Sequence, residues 1–209
     1  MIKKPQALKA KKGLTLVELV VVIAIIGVLA AILVPTMLGV VQDSRITSAN
    51  TLASNIKNRV TEFFSKMDTI KASYVGGAKT LTVTAAQNAS GGSDWTVAGG
   101  AAADWLDGNN HYGAAAVNTT SIATRDTELA AYIADTLTDM KQCTATVYIG
   151  ADGKVIGVAA IEGAAAVPAG ATMPAVTDFT AGHMTWAGNK SGLAANSVII
   201  GTAPTIAHQ

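Results

Sequence analysis

Charge is scarce in this chain. Asp, Glu, Lys and Arg make up 14% of its 209 residues while half are hydrophobic, a poor balance for a soluble domain. Aromatic residues, at 5%, are too few for a continuous stacked path. The single cysteine, Cys143, excludes an intramolecular disulfide. It reads as a small core residue on a strand, with an intermolecular bridge or a reactive thiol as the alternative. His111, His183 and His208 show no ligand spacing, so no metal site is expected. The signatures HExxH, GxSxG, CxxC, Walker A and GxGxxG are all missing. No catalytic residue and no cofactor is nominated, and the chain is not expected to be an enzyme. Asp104 and Asp107 flank a turn and read as solvated loop acids rather than a calcium site.

The small net charge hides an asymmetry. Lys3, Lys4, Lys9, Lys11 and Lys12 all precede Gly13. Without them the fifteen Lys and Arg fall to ten, against fourteen acids, a formal charge of −4. The remainder has no basic stripe, which argues against nucleic acid as a partner.

What the chain does have is "KKGLTLVELVVVIAIIGVLAAILVP", residues 11–35. Leu19 to Val41 carries no charge, and Thr36 is its only hydroxyl. As a helix that stretch is roughly 35 Å long, enough to cross a hydrocarbon core of ~30 Å. A soluble helix so apolar would need protein on every side, which a chain of this size can hardly supply. Membrane insertion is the better reading, with the lysines cytoplasmic and the C-terminal part outside. A secretory signal peptide would be shorter and end in a small-x-small site; a lipoprotein signal needs a nearby cysteine. Glu18 is the residue a plain anchor leaves unexplained. A carboxylate in the apolar layer is costly and therefore functional by default, unless it sits at a wet cytoplasmic interface. On physics alone both readings stay open.

The segment resembles the N-terminus of type IV pilins and the related pseudopilins. The matching pattern is a short basic leader ending in Gly13, an apolar residue, a glutamate at the fifth position counted from Leu14, and a long apolar helix. Gly27 and Pro35 fall at family positions as well. Leu14 departs from the commoner phenylalanine or methionine. The resemblance covers about 40 of the 209 residues. It implies cleavage between Gly13 and Leu14 by a membrane-embedded prepilin peptidase and N-methylation of Leu14, with the apolar run retained. It also implies that Glu18 faces the N-terminal amine of a neighbouring subunit. A carboxylate and an ammonium each cost several kcal/mol alone in a low-dielectric core and offset one another only when paired, so the pair would mark register. Gly27 and Pro35 each weaken a helix interior. They read either as a simple kink or, as the family implies, as a stretch that melts on assembly. Gly27 and Ala31 also form a small-xxx-small pair suited to close helix contact.

Beyond Val41, Ile46, Ala49, Ala53, Ile56, Val60, Phe63, Phe64, Met67 and Ile70 recur at steps of three and four, the mark of an amphipathic helix. Its end is expected near Gly76-Gly77, giving a helix from Leu14 to Tyr74 of roughly 90 Å. "KTLTVTAA" reads as a short strand, and most of the chain from Ala78 to Thr124 as loop. Arg125 to Met140 reads as a short helix with Thr124 as N-cap. "QCTATVYIG" and "KVIGVAAIE" read as a hairpin turning at Asp152-Gly153, and "NSVIIGT" as a further strand. After Glu162 only Asp178 and Lys190 are charged, which suits either a weakly ordered surface or a subunit contact. Trp95, Trp105 and Trp186 read as core, with an exposed glycan platform as the alternative. Asn88, Asn118 and Asn189 match the glycosylation sequon, a common chance match.

The expected fold class is α+β: a long N-terminal helix whose outer half packs on a small antiparallel β-sheet. The expected parts are a leader at 1–13, a membrane or fibre-core helix at 14–41, its amphipathic continuation at 42–75 and a globular head at 76–209. The resemblance implies a filament subunit made as a membrane-anchored precursor and displayed on the cell surface. Its partners would be copies of itself, a prepilin peptidase, an assembly ATPase and a platform membrane protein. The alternatives are a pseudopilin of a secretion or DNA-uptake machine, or a membrane-anchored binding module.

Overall fold

The computed structural model describes residues 15–69, 73–100, 105, 125–184 and 198–208. The chain divides into two compact units, Met1–Val41 and Gln42–Gln209. Helix α1, Leu16–Thr69, contributes its first part to one and its second part to the other.

In the second unit, α1 turns the stripe Ala49, Leu52, Ala53, Ile56, Val60, Phe63, Phe64 and Met67 inward, all buried. Their spacing of three and four residues puts them on one face. That face covers a five-stranded antiparallel sheet in the order β2-β1-β3-β4-β6. The strands are β1 Lys79–Gln87, β2 Ser93–Ala98, β3 Cys143–Ile149, β4 Val155–Glu162 and β6 Ile200–Ala203. Leu81, Val83 and Ala85 of β1 alternate with exposed or half-buried neighbours. Cys143, Ala145 and Val147 of β3 join the same core, as do Val158 and Ala160 of β4. Helix α2, Arg125–Ala134, adds Leu129 and Ile133 beside them. The fold is the α+β class expected, a long N-terminal helix with a small antiparallel sheet, as in type IV pilins.

The opposite sheet face is covered too. Tyr148, Ala159, Ile161, Phe179, Ile200 and Ile206 form a second buried cluster. Phe179 comes from the short helix α3, Val176–Ala181. Its ring sits where a Cβ on Gly157 would be, 2.4 Å from ring carbon Cδ1, so only glycine fits under it. Two-residue strands β5 His183–Met184 and β7 Ala207–His208 pair in parallel alongside. The low-charge tail, expected as loose surface or a contact, thus forms an edge strand and roofs one face of the sheet.

Three expectations need correcting. The helix ends at Thr69 among the described residues, short of Tyr74. Tyr74 instead makes an antiparallel bridge with Trp105, stacks on Phe64 at 5.2 Å and meets the Trp105 ring edge-on at 5.3 Å. That aromatic cluster outweighs one more helical turn. Residues 93–98, expected as loop, form β2, because Trp95 and Val97 alternate inward against the core. Helix α2 stops at Ala134 rather than Met140. There the chain turns through hydrogen bonds such as Thr136 N to Ile133 O, 3.1 Å. Thr124, the expected N-cap, lies outside the described residues, as does Ile70.

Candidate functional site

The candidate site is the N-terminal segment of α1. Thr15 opens the helix. Its hydroxyl oxygen accepts the Glu18 backbone N–H at 3.2 Å. In return Glu18 Oε2 accepts the Thr15 N–H and the Thr15 hydroxyl, each at 2.9 Å. This is a reciprocal capping box, which satisfies donors a helix start otherwise leaves open. Sequence reasoning passed over Thr15, although "TLVE" carries the S/T-x-x-E signal. The box uses Oε2 alone in these bonds and fixes where the carboxylate points. Gly13 and Leu14, the expected cleavage and methylation residues, lie outside the described residues.

The helix runs through both weak points. At Gly27 an added Cβ would meet nothing within 4 Å, so no contact inside the chain demands a glycine there. Pro35 lies within α1 and removes one backbone donor. Next to it the Thr36 hydroxyl donates to the carbonyl of Leu33 at 2.9 Å, a different carbonyl from that of Ala31, which Pro35 leaves without its helical donor. The large side chains along this part of α1 are exposed, Leu16 at 78%, Ile23 at 58% and Val40 at 69%. By length and composition the helix is apolar enough to cross a membrane.

Among the described residues of the head, the reactive groups are buried or already bonded. Cys143 is buried and its thiol is pushed up to about 11 by burial, which makes it a poor nucleophile. Tyr148 is pushed up to about 12, again by burial, and its hydroxyl donates to the Pro174 carbonyl. Among the described residues no three His, Cys, Asp or Glu side chains are grouped to hold a metal ion. Trp105 is buried and Trp95 packs against the core, the core reading rather than the exposed platform. Trp186, His111, Asp104, Asp107, Asn118 and Asn189 lie outside the described residues. Asn88 is occupied: its side-chain oxygen accepts the N–H groups of Ser90 and Gly92, and Nδ2 donates to Asp94 at 2.9 Å. Arg125 was missed by sequence reasoning. Its guanidinium is buried, lies 5.7 Å from the Trp105 ring centre and donates to Met67 Sδ at 3.2 Å.

Comparison with known proteins bears on both units. A family model described as "Domain of unknown function (DUF5021)" matches residues 46–207, most of the chain. The chain belongs to that family. A second model, the prokaryotic N-terminal methylation motif, matches residues 8–34 of this DUF5021 protein. It spans Gly13, Leu14, Glu18 and Gly27. A fimbrial protein, EcpC, of Eikenella corrodens is 46% identical over 57 residues, 27% of this chain and 37% of the relative. A fimbrial protein of Moraxella nonliquefaciens is 43% identical over 53 residues, 25% and 34% of the two chains. A type IV major pilin protein, PilE1, of Neisseria gonorrhoeae is 34% identical over 99 residues, 39% and 55% of the two chains. The chain thus spans about a third to a half of the length of these curated relatives. The motif and the relatives bear out the resemblance to the type IV pilin family. No solved structure matches the chain significantly.

Proposed function

We propose that this DUF5021 protein is the structural subunit of a type IV pilus-like surface filament. The observation that carries the reading is the methylation motif over residues 8–34, joined to a first part of α1 whose large apolar side chains between Leu16 and Val41 are exposed among the described residues. Such a surface must be buried in lipid or against other copies. The relatives' names, fimbrial protein and type IV major pilin, favour the pilin over the pseudopilin.

In this reading the precursor is anchored by α1, with the head outside. A prepilin peptidase cuts after Gly13 and methylates Leu14. An assembly ATPase, acting through a platform membrane protein, then moves the subunit into the fibre. The capping box holds the Glu18 carboxylate at the helix start, where it meets the Leu14 amine of a neighbour. Gly27 and Pro35 let the intervening helix yield. The protein performs no chemistry of its own.

The test is mass spectrometry of filaments sheared from the cell surface. The reading expects this chain as the main component, starting at Leu14, with an N-methyl group where the peptidase methylates. A surface form beginning beyond Val41 would mean an ordinary signal peptide and would overturn it.

A further inference from the structure

The apolar run of α1 ends at Val41, and charge returns at Asp43 and Arg45. Arg45 stands four residues beyond Val41, about 6 Å further along a helix and no more than about 14 Å by any path of the chain. The polar headgroup layer on one side of a bilayer is itself about 5–8 Å deep. In a chain anchored by that run, Arg45 is therefore held at the level of the outer headgroups. A groove of about 580 Å³ opens at this residue, within the range of about 300–1,000 Å³ for small-molecule sites. Ser44, Arg45 and Ser48 of α1 line it together with Ile161, Glu162 and Pro168. The lining is mixed: one base, one acid, two hydroxyls and apolar carbon. Both charged side chains are exposed. Among the described residues they make no ion pair with each other. The Ser48 hydroxyl instead donates to Glu162 Oε2 at 2.9 Å, which fixes the carboxylate in the groove.

We infer that this groove holds the headgroup of a zwitterionic phospholipid with a primary ammonium, its phosphate against Arg45 and its ammonium against Glu162. Position selects a lipid first, because Arg45 cannot leave the neighbourhood of the membrane surface while Val41 ends the span. Charge selects the headgroup. A guanidinium binds phosphate through charge-assisted hydrogen bonds, and an ammonium offers three donors to a carboxylate. The headgroup brings both charges on one molecule, as the groove presents both partners side by side. An anionic lipid or a nucleic acid would meet Arg45 but be repelled by Glu162. The mixed lining suits a ligand that is polar at one end and apolar at the other. The proposal rests on the anchored-precursor reading above and adds to it a second hold on the membrane, released when the subunit is withdrawn.

The test uses the full chain extracted from cell membranes in a nonionic detergent. Dioleoyl phosphatidylethanolamine, phosphatidylglycerol or phosphatidylcholine is added singly, and native mass spectrometry counts the lipids kept by each chain. The ethanolamine lipid should be kept about fivefold better than the other two, the upper range for one exposed ion pair. The glycerol lipid lacks the ammonium, and the choline lipid lacks its N–H donors. Glu162→Gln retains an oxygen for Ser48 but no charge, and should abolish the preference over the glycerol lipid. Arg45→Gln should lower retention of all three. Both substitutions are at exposed side chains, so the fold should survive them. Inorganic phosphate at the same concentration should displace no lipid; displacement would mean an anion site only and would overturn the proposal. Equal retention of the three lipids, or unchanged retention by Arg45→Gln, would overturn the groove as a headgroup site and leave the anchored reading standing. Recovery of the unaltered chain in the soluble rather than the membrane fraction of cells would overturn both.

Discussion

Adding one methyl group at Gly201 is the sharpest perturbation of the head. A Cβ there would lie 1.9 Å from the Ala49 carbonyl carbon, 2.0 Å from its oxygen and 2.4 Å from Asn50 N. All three are backbone atoms of α1, so no side chain can swing aside. Carbon atoms in contact sit ~3.5–4.0 Å apart, so β6 must retreat from the helix by roughly 1.5 Å. The retreat breaks the bond from Thr202 N–H to Asn50 Oδ1, now 2.8 Å. Overpacking of this kind costs about 1–3 kcal/mol, and a part-buried N–H left without its partner about 1–3 more. The sum, roughly 2–6 kcal/mol, is a large share of a domain's stability of about 5–15. The assay is urea unfolding of a fragment from Gln42 onward. With m of about 1–3 kcal/mol/M, the midpoint for Gly201→Ala should fall by at least about 0.7 M. Gly92→Ala, whose Cβ would meet only the Asn88 side chain at 3.5 Å, is the control and should shift little. Equal midpoints for the two variants would refute the argued clamp between α1 and β6.

Other outcomes follow from the same geometry. Cys143 should resist iodoacetamide in the folded fragment at pH 8 and react fully in urea, since its thiol is buried and raised to about 11. Because the folded-state values of Cys143 and Tyr148 lie above their ordinary ones, their contribution is complete below about pH 9. It should be lost as pH rises through 9–12, so unfolding midpoints should be flat near neutrality and fall in alkali. Mass spectrometry should find Asn88 without glycan, and Asn88→Ala should cost about 1 kcal/mol by removing the bonds that shape the β1–β2 turn.

How much of this was legible in the sequence depends on the range of the forces involved. The α1 stripe and the Asp152-Gly153 hairpin were readable because their signals are local: a period near 3.6 and a turn that favours positive φ, here 75° at Gly153. The outline of the candidate site was readable for the same reason, since basic leader, Glu18 and apolar run are contiguous. Thr15 was legible in principle from "TLVE" and was overlooked. The end of α1 was not legible, because Tyr74 is drawn out of the helix by Phe64 and Trp105, distant partners that no local pattern reveals. The roof over the second sheet face was equally hidden. It depends on Phe179 lying on Gly157, a contact set by tertiary approach rather than by periodicity.

The central claim is that Glu18 pairs between subunits and does more than cap its own helix. The direct measurement is filament yield from Glu18→Ala as the only copy, beside Thr15→Val. Thr15→Val removes the hydroxyl of the capping box and leaves the carboxylate in place. The account predicts that Glu18→Ala is processed and accumulates in the membrane but gives few or no filaments, because a neighbour's amine is left buried without a partner. Thr15→Val should still assemble. Normal filaments from Glu18→Ala, or an equal loss from both variants, would contradict the account and leave Glu18 as a helix cap.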